Sequence, residues 1–293
     1  MKRQLKADLM LLLVTMGWGV SYILMDKSLT ELGPLTLNAI RFTGAFAVAA
    51  ALGWKRLRGM SRATVRYAFL AGFFLFVCYV GVAYSVLNTT LSNAAFLCAL
   101  SVVFVPPAEW VLMKKKPKAS LLIVIAICVL GIALMTLKED FSIDRSHLFG
   151  DVMGIVCAVA YGFDLAVTGM AVGRDDVDAF HMGVMTLGCA GFFMVIAAFV
   201  FEEPHFPETA AVWASVAFLT VVCTGLAFVI QALAQRYTTP SHVGVIFTLE
   251  PVFAAVAAFF IAGETLTPRG CIGAALLITA MILMELPGSR KKG

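Results

Sequence analysis

Charge is what this chain has least of. Asp, Glu, Lys and Arg together make up 14% of 293 residues, against 61% apolar ones. Soluble domains sit nearer a quarter and a half, so a water-soluble globule is excluded. Histidine is scarcer still, at four residues. There is no H-E-x-x-H, no C-x-x-C and no paired Cys/His spacing that would hold a metal, and no G-x-x-x-x-G-K-[ST] loop for a nucleotide. Direct ATP drive, a structural metal and a cofactor are therefore not expected. Long polar connections are missing too. The largest is about a dozen residues, too short for a soluble domain.

What the chain has instead is apolar runs. A helix needs roughly 20 mostly apolar residues to cross the hydrocarbon. Ten such runs are legible, at about 8–27, 35–54, 66–87, 91–113, 119–138, 149–172, 179–201, 211–234, 240–262 and 268–287. The first follows a basic start, as in a signal peptide, but it is full length, lacks an A-x-A site and has a partner later in the chain. The net charge of +4 is explained by its placement and points away from nucleic acid as a partner. With the amino terminus in the cytoplasm, the segments on that side hold 17 Lys and Arg and the outer segments hold 4 (Lys27, Lys138, Arg145, Arg269). Such a bias orients the chain with both termini cytoplasmic. One of the cytoplasmic-side loops, from Arg174 to Asp178, is net acidic. All seven cysteines fall inside expected spans, where they serve as small apolar filler.

The chain also repeats itself. Phe69 to Leu137 aligns without a gap onto Phe218 to Leu286, with Thr89-Thr90 over Thr238-Thr239 and Val103-Phe104 over Val252-Phe253. Asp8 to Trp18 lies over Asp151 to Tyr161. Each copy holds five spans, an odd number, so the second must enter the bilayer from the opposite side. The expected fold is an all-α integral membrane protein of ten transmembrane helices, arranged as two five-helix inverted-topology repeats over 1–140 and 141–293. Two antiparallel copies of one bundle are the skeleton of an alternating-access transporter.

Turn chemistry falls where the spans end. Gly33-Pro34 precedes span two, and Thr89-Thr90 and Thr238-Thr239-Pro240 open spans four and nine. Gly150, Gly154, Ala158 and Gly162 recur every four residues in span six and let a neighbour approach. Pro106, Pro107 and Pro251 lie inside spans four and nine, where each removes an amide donor. They are either packing kinks or hinges, and their occurrence in partner spans favours hinges.

Polar residues inside spans are expensive unless they face water or a partner, by about 3 kcal/mol or more for a charge at the centre. Candidates to line a central cavity are Trp18, Tyr22, Arg41, Tyr79, Asn93, Tyr161, Asp164, Gln231 and Glu250. Tyr161, Asp164 and Thr168 form one stripe of a helix, and Ser21 beside Trp18 and Tyr22 is its counterpart. Asp164 and Glu250 are candidates for proton coupling, with His181 and His242 as relay partners; hydrogen-bonded packing explains lone histidines equally. Arg41 could be fixed in an ion pair with Glu250 or Asp164. Glu109, one turn before Lys114 to Lys116, suits the inner interface.

At these residues the chain resembles the drug/metabolite transporter superfamily, of the kind with two EamA-type domains. The marks are Arg41-Phe42 in span two, Leu249-Glu250-Pro251-Val252-Phe253 in span nine and Gly263-Glu264-Thr265-Leu266 before span ten. The resemblance implies an inner-membrane carrier with a central cavity between spans one to four and six to nine, spans five and ten being peripheral. It implies export of amino acids or other small metabolites, and it favours a structural role for Arg41. The first copy departs from the pattern: Val102 stands opposite Pro251, and Lys114-Lys115 opposite Gly263-Glu264.

The expected function is a secondary transporter of the inner membrane that exports amino-acid-like or other small organic metabolites, with proton coupling. The alternatives are a multidrug or cation efflux pump and an uptake permease. An intramembrane enzyme would need a nucleophile or metal constellation that is not there. The expected partners are a small-molecule substrate and the lipid bilayer, and a homodimer is compatible with the sequence.

Overall fold

The computed structural model describes residues 2–136, 147–262 and 267–285. Among them every regular element is a helix. In order they are α1 (Lys2–Leu29), α2 (Pro34–Gly53), α3 (Arg62–Asn88), α4 (Leu91–Ala99), α5 (Ser101–Met113), α6 (Ala119–Thr136), α7 (Leu148–Val172), α8 (Ala179–Phe201), α9 (Ala210–Phe218), α10 (Ala227–Gln235), α11 (Pro240–Phe247), α12 (Glu250–Ala262) and α13 (Pro268–Glu285). Residues Leu219–Leu226, between α9 and α10, are wound as a π-helix. Nine helical stretches of the described residues are long and apolar enough to cross a membrane, and Pro268–Met284 is a shorter apolar helix. Lipid is the only solvent consistent with the outer surface, where Leu13, Leu52, Phe199 and Phe201 are all more than 60% exposed. The Gly263 to Leu266 motif lies outside the described residues.

Helix starts follow the sequence closely. The side chains of Ser61, Thr90, Thr209 and Thr239 each accept from a backbone amide three residues on, and Asp178 accepts from Phe180 and His181. Such caps satisfy amides that have no intrahelical partner. Gly33, which precedes α2, has no side chain to offer. Its place is taken by Glu202, at the end of α8, whose carboxylate accepts from Leu35 N (2.9 Å), Thr36 N (2.8 Å) and the Thr36 hydroxyl (2.7 Å).

Contacts at the helix ends establish the orientation of the two halves. On the face where the chain starts, Arg56 meets Asp178 at 3.3 Å and His242 Nε2 lies 3.1 Å from Asp8 Oδ1. On that face α1 begins and α7 ends. On the opposite face, Glu202 meets the start of α2, Glu31 accepts from Thr209, and His147 Nδ1 lies 3.1 Å from Asn88 O. There α1 ends and α7 begins. The second half therefore runs upside down relative to the first. Packing follows the same twofold rule: α3 lies along α7 as α1 lies along α9 and α10, α2 crosses α8, and α6 pairs with α13 at the periphery.

The α3–α7 seam needs glycine. A Cβ on Gly81 would sit 2.7 Å from Met153 O, and one on Gly150 would sit 2.6 Å from the Asn88 carbonyl carbon. Small residues thus allow backbone-to-backbone contact between helices of different repeats.

Three spans that look continuous in the sequence are interrupted. Span nine breaks at Thr248-Leu249, where the amides of both residues turn to carbonyls three residues back (3.2 and 3.1 Å). Pro251 is the second residue of α12, where a missing amide costs nothing. Span four breaks at Leu100, the repeat partner of Leu249, and not at Pro106-Pro107, which lie inside the uninterrupted α5. The break is thus inherited from the architecture even where its proline is absent. The third interruption is the π-helical stretch in span eight.

Candidate transport cavity

The broken spans meet at a central cavity of about 80 Å³. Its lining is itself symmetric: Trp18 and Tyr161, Tyr79 and Phe228, Cys98 and Phe247, and Ser101 and Glu250 are four pairs of repeat-equivalent positions. The pseudo-twofold axis therefore passes through the hollow. Ligand pockets usually measure about 300–1,000 Å³, so this conformation is contracted around a few waters' worth of space.

One wall is aromatic. Trp18 lies 4.8 Å from Phe247, 5.6 Å from Phe228 and 6.0 Å from Tyr161, measured between ring centroids. The π-helical stretch holds that wall. A π-helix shifts the hydrogen-bond ladder by one residue and leaves carbonyls for other donors. Trp18 Nε1 donates to Cys223 O at 2.7 Å, and the Cys223 thiol reaches back to Gly17 O.

The next residue, Thr224, positions Arg41. Its hydroxyl accepts from Nε (3.3 Å) and Nη2 (3.1 Å) of the guanidinium, and Nη1 has only Asn38 Oδ1 at 3.5 Å and Met25 Sδ at 4.0 Å. The guanidinium also lies 5.1 Å from the Tyr79 ring centre. Arg41 is 2% exposed, yet among the described residues no carboxylate comes within ion-pair distance of it. The expected pairing with Glu250 or Asp164 is not present. Glu250 is half-buried on the cavity wall beside the Tyr22 phenol. The cavity therefore presents one cation and one acid that do not neutralise each other directly.

Of the residues expected in the cavity, Trp18, Tyr22, Arg41, Tyr79, Tyr161 and Glu250 line it. Asp164 does not. It is fully buried behind the wall, where Gln231 Nε2 donates to its Oδ2 at 3.3 Å and the Tyr161 hydroxyl donates to Gln231 Oε1 at 2.9 Å. Its other oxygen, Oδ1, has no partner. Asn93 lies at the face opposite the chain start, bonded to Thr89 and Asp151. His181 and His242 lie at the starting face, against Arg56 O and Asp8. The four relay candidates are thus dispersed, because helix ends and helix middles are separated by half the bilayer. Glu109 turns inward and accepts from the Ser241 hydroxyl.

Three lining residues escape a sequence reading. Cys78, Cys98 and Cys157 converge on the cavity, with the Cys78 and Cys157 sulfurs 3.5 Å apart. Nothing in their spacing marks them. Ser101 was accessible in principle, since the repeat alignment places it opposite Glu250. Thr224 carries no signal beyond the β-branched run before Gly225. Among the described residues no group of His, Cys, Asp and Glu is arranged to hold a metal ion.

The model of the EamA-like transporter family matches this chain twice, over residues 5–137 and 148–286. The chain belongs to the EamA-like transporter family. Its relatives include a protein named as an uncharacterized transporter from Archaeoglobus fulgidus, 26% identical over 289 residues that cover 97% of this chain and 87% of the relative. The uncharacterized transporter YoaV of Bacillus subtilis is 22% identical, with 98% and 99% of the two chains covered. A solved crystal structure superposes with a TM-score of 0.79 at 16% identity, covering 98% of this chain and 99% of the other. This EamA-like protein is thus a multi-pass membrane transporter.

Proposed function

We propose that this EamA-like protein is a secondary transporter of the cell's inner membrane that exports small organic metabolites carrying a carboxylate, amino-acid-like in size and charge. Both termini lie in the cytoplasm, in keeping with the distribution of Lys and Arg. The observation that carries the reading is Arg41. A buried guanidinium without a carboxylate is costly, and the missing anion is one that cargo can bring. Glu250 offers the complementary partner for an ammonium group, and Trp18, Tyr22 and Tyr161 supply apolar and stacking surface between the two.

Glu250 is also the acid to which we assign proton coupling. It faces the cavity, where a proton and a cargo cation can compete for one carboxylate, whereas Asp164 is buried off the cavity and bonded to Gln231. The contracted cavity suits an intermediate of alternating access, in which rocking of the repeats opens one mouth at a time.

The test is counterflow in proteoliposomes loaded with a mixture of labelled carboxylic and amino acids. The expected result is exchange of at least one carboxylate-bearing solute, which Arg41→Gln suppresses. Efflux of a hydrophobic cation that depends on Glu250 and is indifferent to Arg41 would favour the efflux-pump reading, for which the aromatic wall is the supporting observation.

A further inference from the structure

The two faces of the bundle carry repeat-equivalent contacts. Asp8 of α1 and Asp151 of α7 occupy matching positions, as do Asn93 of α4 and His242 of α11. On the starting face Asp8 Oδ1 meets His242 Nε2 at 3.1 Å, with both side chains about nineteen-twentieths buried (5% and 6% exposed). On the opposite face the Asn93 amide donates to Asp151 Oδ1. The surroundings repeat as well. Thr90 caps α4 by accepting from Asn93 N, and Thr239 caps α11 by accepting from His242 N. The same pair of contacts is therefore built twice, once per face, with different chemistry at the partner of the acid.

Each contact sits at the outer end of a half-helix. Beyond it, α4 runs six more residues to Ala99 and α11 five more to Phe247, about 8–9 Å at the usual rise. Both end at a break beside the cavity, at Leu100 and at Thr248-Leu249. A rod pinned at its outer end and interrupted at its inner end can swing only when the pin is released. Asp8 depends on its pin, because its second oxygen, Oδ2, is buried without a partner.

We infer that Asp8–His242 and Asp151–Asn93 are the two gate latches, that the first holds α11 shut over the starting-face mouth, and that the second holds α4 shut over the opposite mouth. The transport cycle breaks them alternately. This rests on the reading that solute passes through the central cavity, but it does not depend on which solute.

The native cavity thiol Cys98 reports the gates. Wild type and variants in membrane vesicles of known sidedness would be exposed to a membrane-impermeant maleimide from one face at a time, with adduct at Cys98 read by mass spectrometry. Losing one hydrogen bond to a charged group shifts a two-state population by about tenfold or more. Asp8→Ala is expected to raise labelling from the starting face by that factor relative to the opposite face. Asp151→Ala is expected to shift the ratio the other way. His242→Asn, which copies the partner chemistry of the other mouth, is expected to keep the starting face closed where His242→Ala opens it. Labelling that rises equally from both faces, as in a loosened or misfolded chain, overturns the assignment, and so does an unchanged ratio. If the labelling follows the latches while no carboxylate-bearing solute moves, the gates stand and the cargo reading falls.

Discussion

Replacing Arg41 by Gln separates a cargo site from a structural strut. The guanidinium carries five N–H donors; two share the Thr224 hydroxyl, and Nη1 makes contacts only at 3.5 Å or longer. A hydrogen bond to a charged group contributes about 1.5–3 kcal/mol. Loss of the guanidinium should therefore weaken binding of a carboxylate-bearing solute by about 10- to 150-fold, at 1.4 kcal/mol per decade. Folding should respond differently. A buried cation without a counter-ion costs several kcal/mol, and its removal offsets the lost contacts to Tyr79 and Thr224, worth about 1–3 kcal/mol together. Arg41→Gln should thus reach the membrane with a near-normal melting temperature in detergent while its KM in counterflow rises. Arg41→Lys keeps the charge but loses the fork, and should fall between the two. A melting temperature depressed by more than 5 °C, about 2–3 kcal/mol at this size, with unchanged KM would refute the cargo role and make Arg41 a strut between α2 and the π-helical stretch.

Three other outcomes are expected. Glu250→Gln should abolish flux driven by a pH gradient in inside-out vesicles while counterflow persists, and Asp164→Asn should keep the gradient response; coupling retained in Glu250→Gln would remove that assignment. Gly81→Leu should lower thermal stability by several kcal/mol, because its Cβ meets the backbone of α7 at 2.7–2.8 Å; an unchanged melting curve would mean that the seam is looser than the contacts imply. Glu31, in the loop after α1, has its carboxyl held below the usual carboxylate range by the Thr209 hydroxyl and then by the amides of Thr209 and Glu208. A lowered folded pKa contributes stability above the unfolded value and loses it as pH falls through the folded one. An acid-side loss of stability should accordingly be smaller in Glu31→Gln, and equal acid titrations of the two proteins would count against the contact.

Much of the fold was legible because lipid enforces it. Apolar runs long enough to span must be helices, the caps at Ser61, Thr90, Thr209 and Thr239 are local hydrogen bonds, and an odd number of spans per repeat dictates inversion. Six cavity residues were legible for a related reason, since polar and aromatic side chains inside a span need a partner or a hollow. The interruption of span four was not. Its prolines pointed one turn and more too far along, while the break at Leu100 follows the geometry of its partner span.

By itself, then, the chain determined that it spans the bilayer, that it is two copies of one unit, and that the copies lie upside down to one another. These follow from local polarity and from counting. Only the folded bundle decided that Arg41 has no carboxylate partner among the described residues, that Asp164 is buried against Gln231, that Glu202 caps a helix more than 160 residues away, and that Asp8 meets His242. Each depends on distances between segments remote in sequence, and those are set when the helices pack.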